Sequence, residues 1–307
     1  MPCTANPNAD QQHAYPEKRF SIAVAGRQLE ALHLRGSLAN SPTLVFLHEG
    51  LGSISLWRDF PQRVVAATGY SALIYSRYGY GQSDLLAESR ATDYMHREAL
   101  DVLPSVLAQC EIENPILLGH SDGASIALIY AGAGNDVSGL IVEAPHLFVE
   151  EISLHGVAQA ALTYRTTDLP QKLGRHHRDA GKTFWGWHDV WNSAAFRDWN
   201  IESTVASIRC PILALQGAQD DYGSAAQIQA IATACPGNAE LHLFTLAGFY
   251  KFEKLVFANY LKTDCEQSLL ILQKYTQHTA QWLGSPPKQL VAHCECAQIL
   301  WPHCQFA

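Results

Sequence analysis

Apolar and polar positions alternate along residues 20–26 (FSIAVAG) and 28–35 (QLEALHLR), on either side of a short break. That period of two predicts a β-hairpin with one face buried. Beyond it the pattern changes. Short runs are apolar throughout: TLVFLH (43–48), ALIYS (72–76), PILLGH (115–120), GLIVEAP (139–145), PILALQG (211–217) and ELHLFTL (240–246). Runs of this kind suit strands covered on both faces, which means a parallel sheet with helical crossovers.

The segments between the runs are amphipathic. In residues 91–110 Tyr94, Leu100, Leu103, Val106 and Leu107 stand near helical spacing, and ASIALIYAGAG (124–134) reads as an apolar helix ending in glycine. A hairpin followed by repeated β-α units predicts the α/β class with a mostly parallel sheet. Residues 146–208 break the rhythm, because the interval is far too long for a plain crossover. It holds Phe184, Trp185, Trp187, Trp191, Phe196 and Trp199, with His176, His177 and His188. It is expected to fold as an inserted helical cap, most of its tryptophans gluing it to the core and one or two facing a pocket. The predicted organisation is a loose tail (1–17), a core (18–145 and 209–250), the cap (146–208) and an atypical C-terminal segment (251–307).

Composition narrows the partners. The chain has 307 residues, is 48% hydrophobic and 16% charged, and carries a formal charge of −8. An acidic balance argues against nucleic acid or an anionic membrane, each of which favours a basic face. No apolar stretch reaches membrane-span length and the N-terminus lacks a signal-type apolar region, so a cytoplasmic setting is expected. Eight cysteines are present; Cys265, Cys294, Cys296 and Cys304 crowd the C-terminal region. The Cys294-Glu295-Cys296 spacing is not that of a zinc knuckle, and no metal or cofactor is expected.

The chemistry concentrates in PILLGHSDGASIAL, a strand-like run, a Gly-x-Ser-x-Gly turn and a helix-like run. In that context a serine is forced into a sharp strand-to-helix turn that presents its hydroxyl at the carboxyl edge of the sheet. Gly119 and Gly123 let the turn close. Ser121 is therefore the candidate nucleophile, and the Asp122 backbone N–H, at a helix N-terminus, is placed to meet a developing oxyanion. TLVFLHEGLGS (43–53) and YSRYGYGQSD (75–84) are further strand-to-loop passages on the same edge.

His48-Glu49-Gly50, Arg77-Tyr78-Gly79-Tyr80-Gly81-Gln82-Ser83 and Gly119 to Gly123, in that order, resemble the α/β-hydrolase superfamily, most closely its capped esterase, lactonase and C–C hydrolase branch. The resemblance covers roughly residues 20–247. It implies that His48 braces the oxyanion loop without transferring protons, and that the Gly50 N–H pairs with that of Asp122 as the oxyanion hole. Glu49 stands where the family usually has glycine. Pointing inward it would oppose the developing charge; it is expected to turn away toward Arg77 or Arg58, the alternative being a pocket-facing carboxylate that positions water or a cationic group. The resemblance also places the triad acid three residues after Gly217, at Asp220, with Asp221 adjacent and chemically equivalent. His48, Glu49 and His120 are the expected pocket residues, and a small acyl compound the expected partner.

The base is missing from its expected place. The order Ser, Asp, His of this fold puts a histidine in the loop after the last strand. There the chain reads Ala247-Gly248-Phe249-Tyr250. Phenylalanine accepts no proton, and a tyrosine with an ordinary pKa of about 10 is a poor base near neutrality. His242 falls inside the strand, as a wall or core residue. His278, His293 and His303 lie in the tail, and His120 is committed by the turn. A lost histidine coinciding with an abrupt change of composition reads as a divergent or frame-altered C-terminus. The function expected is a serine hydrolase of small esters, lactones or related acyl compounds, impaired if no base is supplied. The alternatives are a silent pocket-binding homologue, or an acyltransferase or C–C hydrolase.

Overall fold

The computed structural model describes residues 16–244. Phe249, the C-terminal segment, its histidines and cysteines, and most of the N-terminal tail lie outside the described residues. The hairpin is present as β1 (Glu17–Val24) and β2 (Arg27–Leu34), paired antiparallel. Its turn places Ala25 and Gly26 both at positive φ, +49° and +76°, the geometry whose twist matches the flanking strands. Glu17, assigned above to the tail, already pairs with Leu34.

The apolar runs become β3 (Leu44–Leu47), β4 (Ala72–Tyr75), β5 (Ile116–His120), β6 (Gly139–Glu143), β7 (Ile212–Gly217) and β8 (Ala239–Phe244). The eight strands form one sheet in the order β1-β2-β4-β3-β5-β6-β7-β8, parallel from β4 onward. The chain leaves β3 for β4 on one side, then returns across to β5 on the other. The carboxyl ends of β3 and β5 thus form the switch point, where open α/β sheets leave a crevice.

Alternate strand residues feed two cores, as the pleat requires. Phe46, Ile74, Leu118, Ile141 and Leu213 pack on one face beneath α1 (Phe60–Thr68), against Trp57, Phe60, Val64 and Val65. Val45, Leu73, Leu117, Leu140 and Ala214 pack on the other. There lie α2 (Tyr94–Arg97), running through a π-turn (Glu98–Val102) into α3 (Leu103–Gln109), and α4 (Asp122–Gly132). The π-turn corrects one expectation. Its wider turn shifts the helical phase, so Leu100 is 43% exposed and Glu98 is buried in its place, accepting from the Tyr75 hydroxyl at 2.8 Å.

Between β6 and β7 come α5 (Glu151–Thr166), α6 (Leu169–Leu173), α7 (Ala180–Trp191) and α8 (Glu202–Val205). The ends of this insertion are tied together by a bridge between Phe148 and Asn200 and by the Ile201 N–H donating to the Leu147 carbonyl at 2.7 Å. α9 (Ala226–Ala234) links β7 to the edge strand β8. His242, expected as wall or core, sits partly exposed on β8 and bonds Glu240 at 2.7 Å.

Candidate active site

Ser121 joins β5 to α4 with φ +51° and ψ −117°, a conformation costly for any residue with a Cβ. The neighbours explain how it is held. A Cβ at Gly119 would strike the Gly123 carbonyl, and one at Gly123 would strike the Leu47 carbonyl. Only glycines let β3, β5 and α4 approach this closely. The Ser121 N–H donates to Glu143 O at 2.8 Å, so β6 also pins the turn. The Asp122 N–H opens α4 and has no partner within the helix.

The loop after β3 faces the turn. His48 is buried; its Nε2 accepts from the Arg77 backbone N–H at 3.0 Å, and its Nδ1 meets the Glu49 carbonyl at 2.8 Å. This pattern assigns the proton to Nδ1. Burial, followed by the charge of Arg77, holds the imidazole well below its ordinary pKa, so it is a neutral brace. The Arg77 guanidinium donates to the His48 and Glu49 carbonyls at 3.1 and 2.8 Å. Gly50 completes the loop, with the Trp187 indole of α7 packed where a Cβ would stand.

Glu49 does not turn toward Arg77 or Arg58. Arg77 holds its backbone carbonyl, while the carboxylate folds over Gly52 and lies 3.8 Å from His120 Nδ1. The Arg77 guanidinium is already engaged by the His48 and Glu49 backbone carbonyls. Burial opposes ionisation of Glu49, yet the hydrogen bond and charge of His120 outweigh it and its pKa falls below the ordinary value.

Of the two aspartates after β7, Asp220 is buried and Asp221 exposed. Asp220 accepts from the Tyr222 N–H at 2.8 Å and from Gln216 Nε2 at 3.1 Å. Burial pushes its pKa up to about 6 against the opposing hydrogen bond from Tyr222. It shares a narrow crevice with His120 and Glu143. Glu143 was not anticipated. Its signal was one carboxylate inside an otherwise apolar run. It ends β6 beside His120, and burial pushes it up to about 7, with Glu49 and Asp220 adding to the shift and His120 opposing it.

Ser121 opens instead into a larger cavity of about 410 Å³, shared with Gly50, Glu49, Trp187, Trp191 and His146. Two of the insertion's tryptophans thus line it, and His176 stands at its wall, whereas His177 is spent on the Gly81 N–H and the Leu51 carbonyl. His146 also escaped the sequence reading, lying just past an apolar run with no motif around it. Its backbone is clamped by Ser125 Oγ, its ring meets Trp191 edge-on at 4.9 Å, and its Nδ1 has no partner among the described residues. Burial, against the charges of Asp122 and Glu150, lowers it to about 4. Lacking a carboxylate on Nδ1, it has no orienting acid of the triad kind. It presents a neutral polar ring to the cavity.

A parallel sheet, a strained serine after its fifth strand and a buried aspartate after its seventh define the architecture of an α/β hydrolase. The sequence model of the Alpha/beta hydrolase family matches residues 44–248, more than half of the chain, and the chain belongs to that family. Among curated proteins, the 2-hydroxy-6-oxononadienedioate/2-hydroxy-6-oxononatrienedioate hydrolase of Cupriavidus pinatubonensis is 28% identical over 126 residues, which cover 40% of this chain and 43% of that protein. The match thus spans less than half the length of that relative. Among solved structures, an esterase from Exiguobacterium antarcticum superposes with a TM-score of 0.62 at 17% identity, covering 86% of this chain and 99% of that one. A thermophilic esterase from Thermogutta terrifontis gives 0.60 at 15% identity, over 87% and 98%. These two likenesses establish the fold. No helix among the described residues is long and apolar enough to cross a membrane.

Proposed function

We propose that this chain is a serine hydrolase of small carboxylic esters, lactones or related acyl compounds, with Ser121 as nucleophile. The observation that supports it is the strained Ser121 turn opening, beside Gly50, into a mostly apolar cavity. Ser121 Oγ adds to the acyl carbon. The carbonyl oxygen gains the electron pair and is held by the Gly50 and Asp122 N–H groups. Collapse breaks the bond to the leaving alkoxide, which takes up the proton that Ser121 lost, and leaves an acyl-enzyme; water then adds to the same carbon, and breaking the bond to Ser121 releases the acid as a water proton returns to Oγ. Asp220 is the acid assigned to orient a base. α5 to α8 serve as the cap over this pocket.

A second reading follows from Phe249, which stands at the usual position of the base: a chain that binds in the pocket and turns over little. The curated relative adds C–C bond hydrolysis to the chemistries worth assaying. A fluorophosphonate probe tests both readings. Labelling of the wild type that disappears in Ser121→Ala supports the nucleophile. Phe249→His should then raise ester turnover by an order of magnitude or more, since losing a triad base costs about 10³-fold or more. Equal labelling of Ser121→Ala overturns the assignment. No labelling in either the wild type or Phe249→His supports the silent reading.

A further inference from the structure

The mouth of the Ser121 cavity is cationic, although the chain as a whole carries −8. Arg58, Lys172 and Arg175 line it. Lys172 is matched by Asp168 at 2.9 Å. Arg58 and Arg175 have no carboxylate within ion-pair distance among the described residues. The acid beside Arg58, Asp59, is turned to Arg63 at 2.7 Å, and Glu49 faces His120. Two guanidiniums without an ion-pair contact at one opening repel each other and attract an anion; Asp168 feels the charge of Arg175, but its short contact is to Lys172.

The arrangement is also held in place. Arg58 follows a 3-10 turn (Ile54–Trp57) with φ +51° and ψ −122°, nearly the conformation of Ser121. A non-glycine residue persists there only when its surroundings impose it, and such residues gather at functional sites. Arg175 follows α6. A 2.9 Å hydrogen bond between Ser55 Oγ and His176 Nδ1 ties the two arginine-bearing segments together. Burial and then the charges of Arg58 and Arg175 keep His176 below its ordinary pKa, as expected if all three face one space.

We propose that Arg58 and Arg175 form an anion subsite at the cavity mouth that receives a carboxylate carried by the acyl substrate, remote from the bond that Ser121 attacks. This rests on Ser121 as the reacting residue. The substrate class becomes half-esters and acyl compounds of dicarboxylic acids, with the neutral end against Gly50 and Trp187 and the charged end at the mouth. Guanidinium suits this task because it pairs a planar carboxylate with two N–H groups.

Binding to full-length Ser121→Ala tests it without turnover, by calorimetry with monomethyl glutarate against neutral dimethyl glutarate. The half-ester should bind at least tenfold tighter, and its affinity should fall between 0.05 and 0.5 M NaCl. Arg58→Gln and Arg175→Gln, both at exposed side chains, should each weaken the half-ester about three- to tenfold and leave the diester unchanged. The double variant should erase the preference. Equal affinity for the two ligands, a preference that survives the double variant, or no binding of either ligand overturns the subsite. A silent binding chain still passes this test, and Ser121 labelling by a neutral fluorophosphonate survives its failure, so the two proposals fail separately.

Discussion

The Tyr94 hydroxyl donates to the Asp122 carboxylate at 2.6 Å, and accepts from Trp191 Nε1 at 3.0 Å. Arg77 stands 3.8 Å from the same carboxylate oxygen. A single buried chain therefore runs from α7 through α2 to the first residue after Ser121. Tyr94→Phe removes the shortest link and leaves a fully buried carboxylate under-satisfied. It should destabilise the protein by about 1–3 kcal/mol, read as a lower urea midpoint, and should slow Ser121 labelling through the turn it braces.

Gly123→Ala places a methyl group against the Leu47 carbonyl, which is backbone and cannot swing aside. Overpacking of this kind costs about 1–3 kcal/mol. The relief open to the chain is to move α4 away from β3, which carries the Asp122 N–H off the Gly50 strip. The variant should lose both urea stability and labelling, the labelling by the larger factor.

Glu143 and Asp220 have folded pKa values near 7 and 6, above their ordinary carboxylate values. The folded protein thus holds protons that the unfolded chain releases. Their stability contribution is fully present below about pH 4 and is lost as pH rises toward 7. His146 acts in the opposite sense: its folded value near 4 lies below the unfolded one, so its contribution is lost as pH falls from about 6.5 to 4. The two trends partly cancel in the wild type. Glu143→Gln separates them. Its gain over the wild type should grow from near zero at pH 4 to as much as about 3 kcal/mol by pH 8, measured as urea midpoints across that range. A gain independent of pH would contradict the raised Glu143.

Glu49 is an anion next to the proposed oxyanion strip. Replacing its charge in Glu49→Gln should speed acylation by about tenfold, the effect of roughly 1–2 kcal/mol of removed repulsion at an effective dielectric of about 20. The second-order rate of fluorophosphonate labelling measures it. A rate that falls instead would assign Glu49 to positioning.

Each run named from the sequence is a strand; the central ones were legible because strands buried on both faces demand continuous apolar runs, whereas the edge strand β8 is only partly covered. The Ser121 turn was equally legible as a motif: Gly119 answers to the Gly123 carbonyl four residues on, although the carbonyl that makes Gly123 necessary, that of Leu47, arrives from β3. Three features needed the tertiary structure. A π-turn in the middle of an amphipathic segment leaves no local signature, so Leu100 and Glu98 exchange places only once the helix is built. The direction of Glu49 depends on His120 and on the Arg77 guanidinium, which reach it from β5 and β4. Glu143 and His146 join the site because β6 lies beside β5, a neighbour relation that no spacing along the chain encodes. Periodicity and turn chemistry act over a few residues and determined the elements and the strained turn at Ser121. The charges around that serine, and the arginines at the mouth of its cavity, were decided by which distant segments pack together.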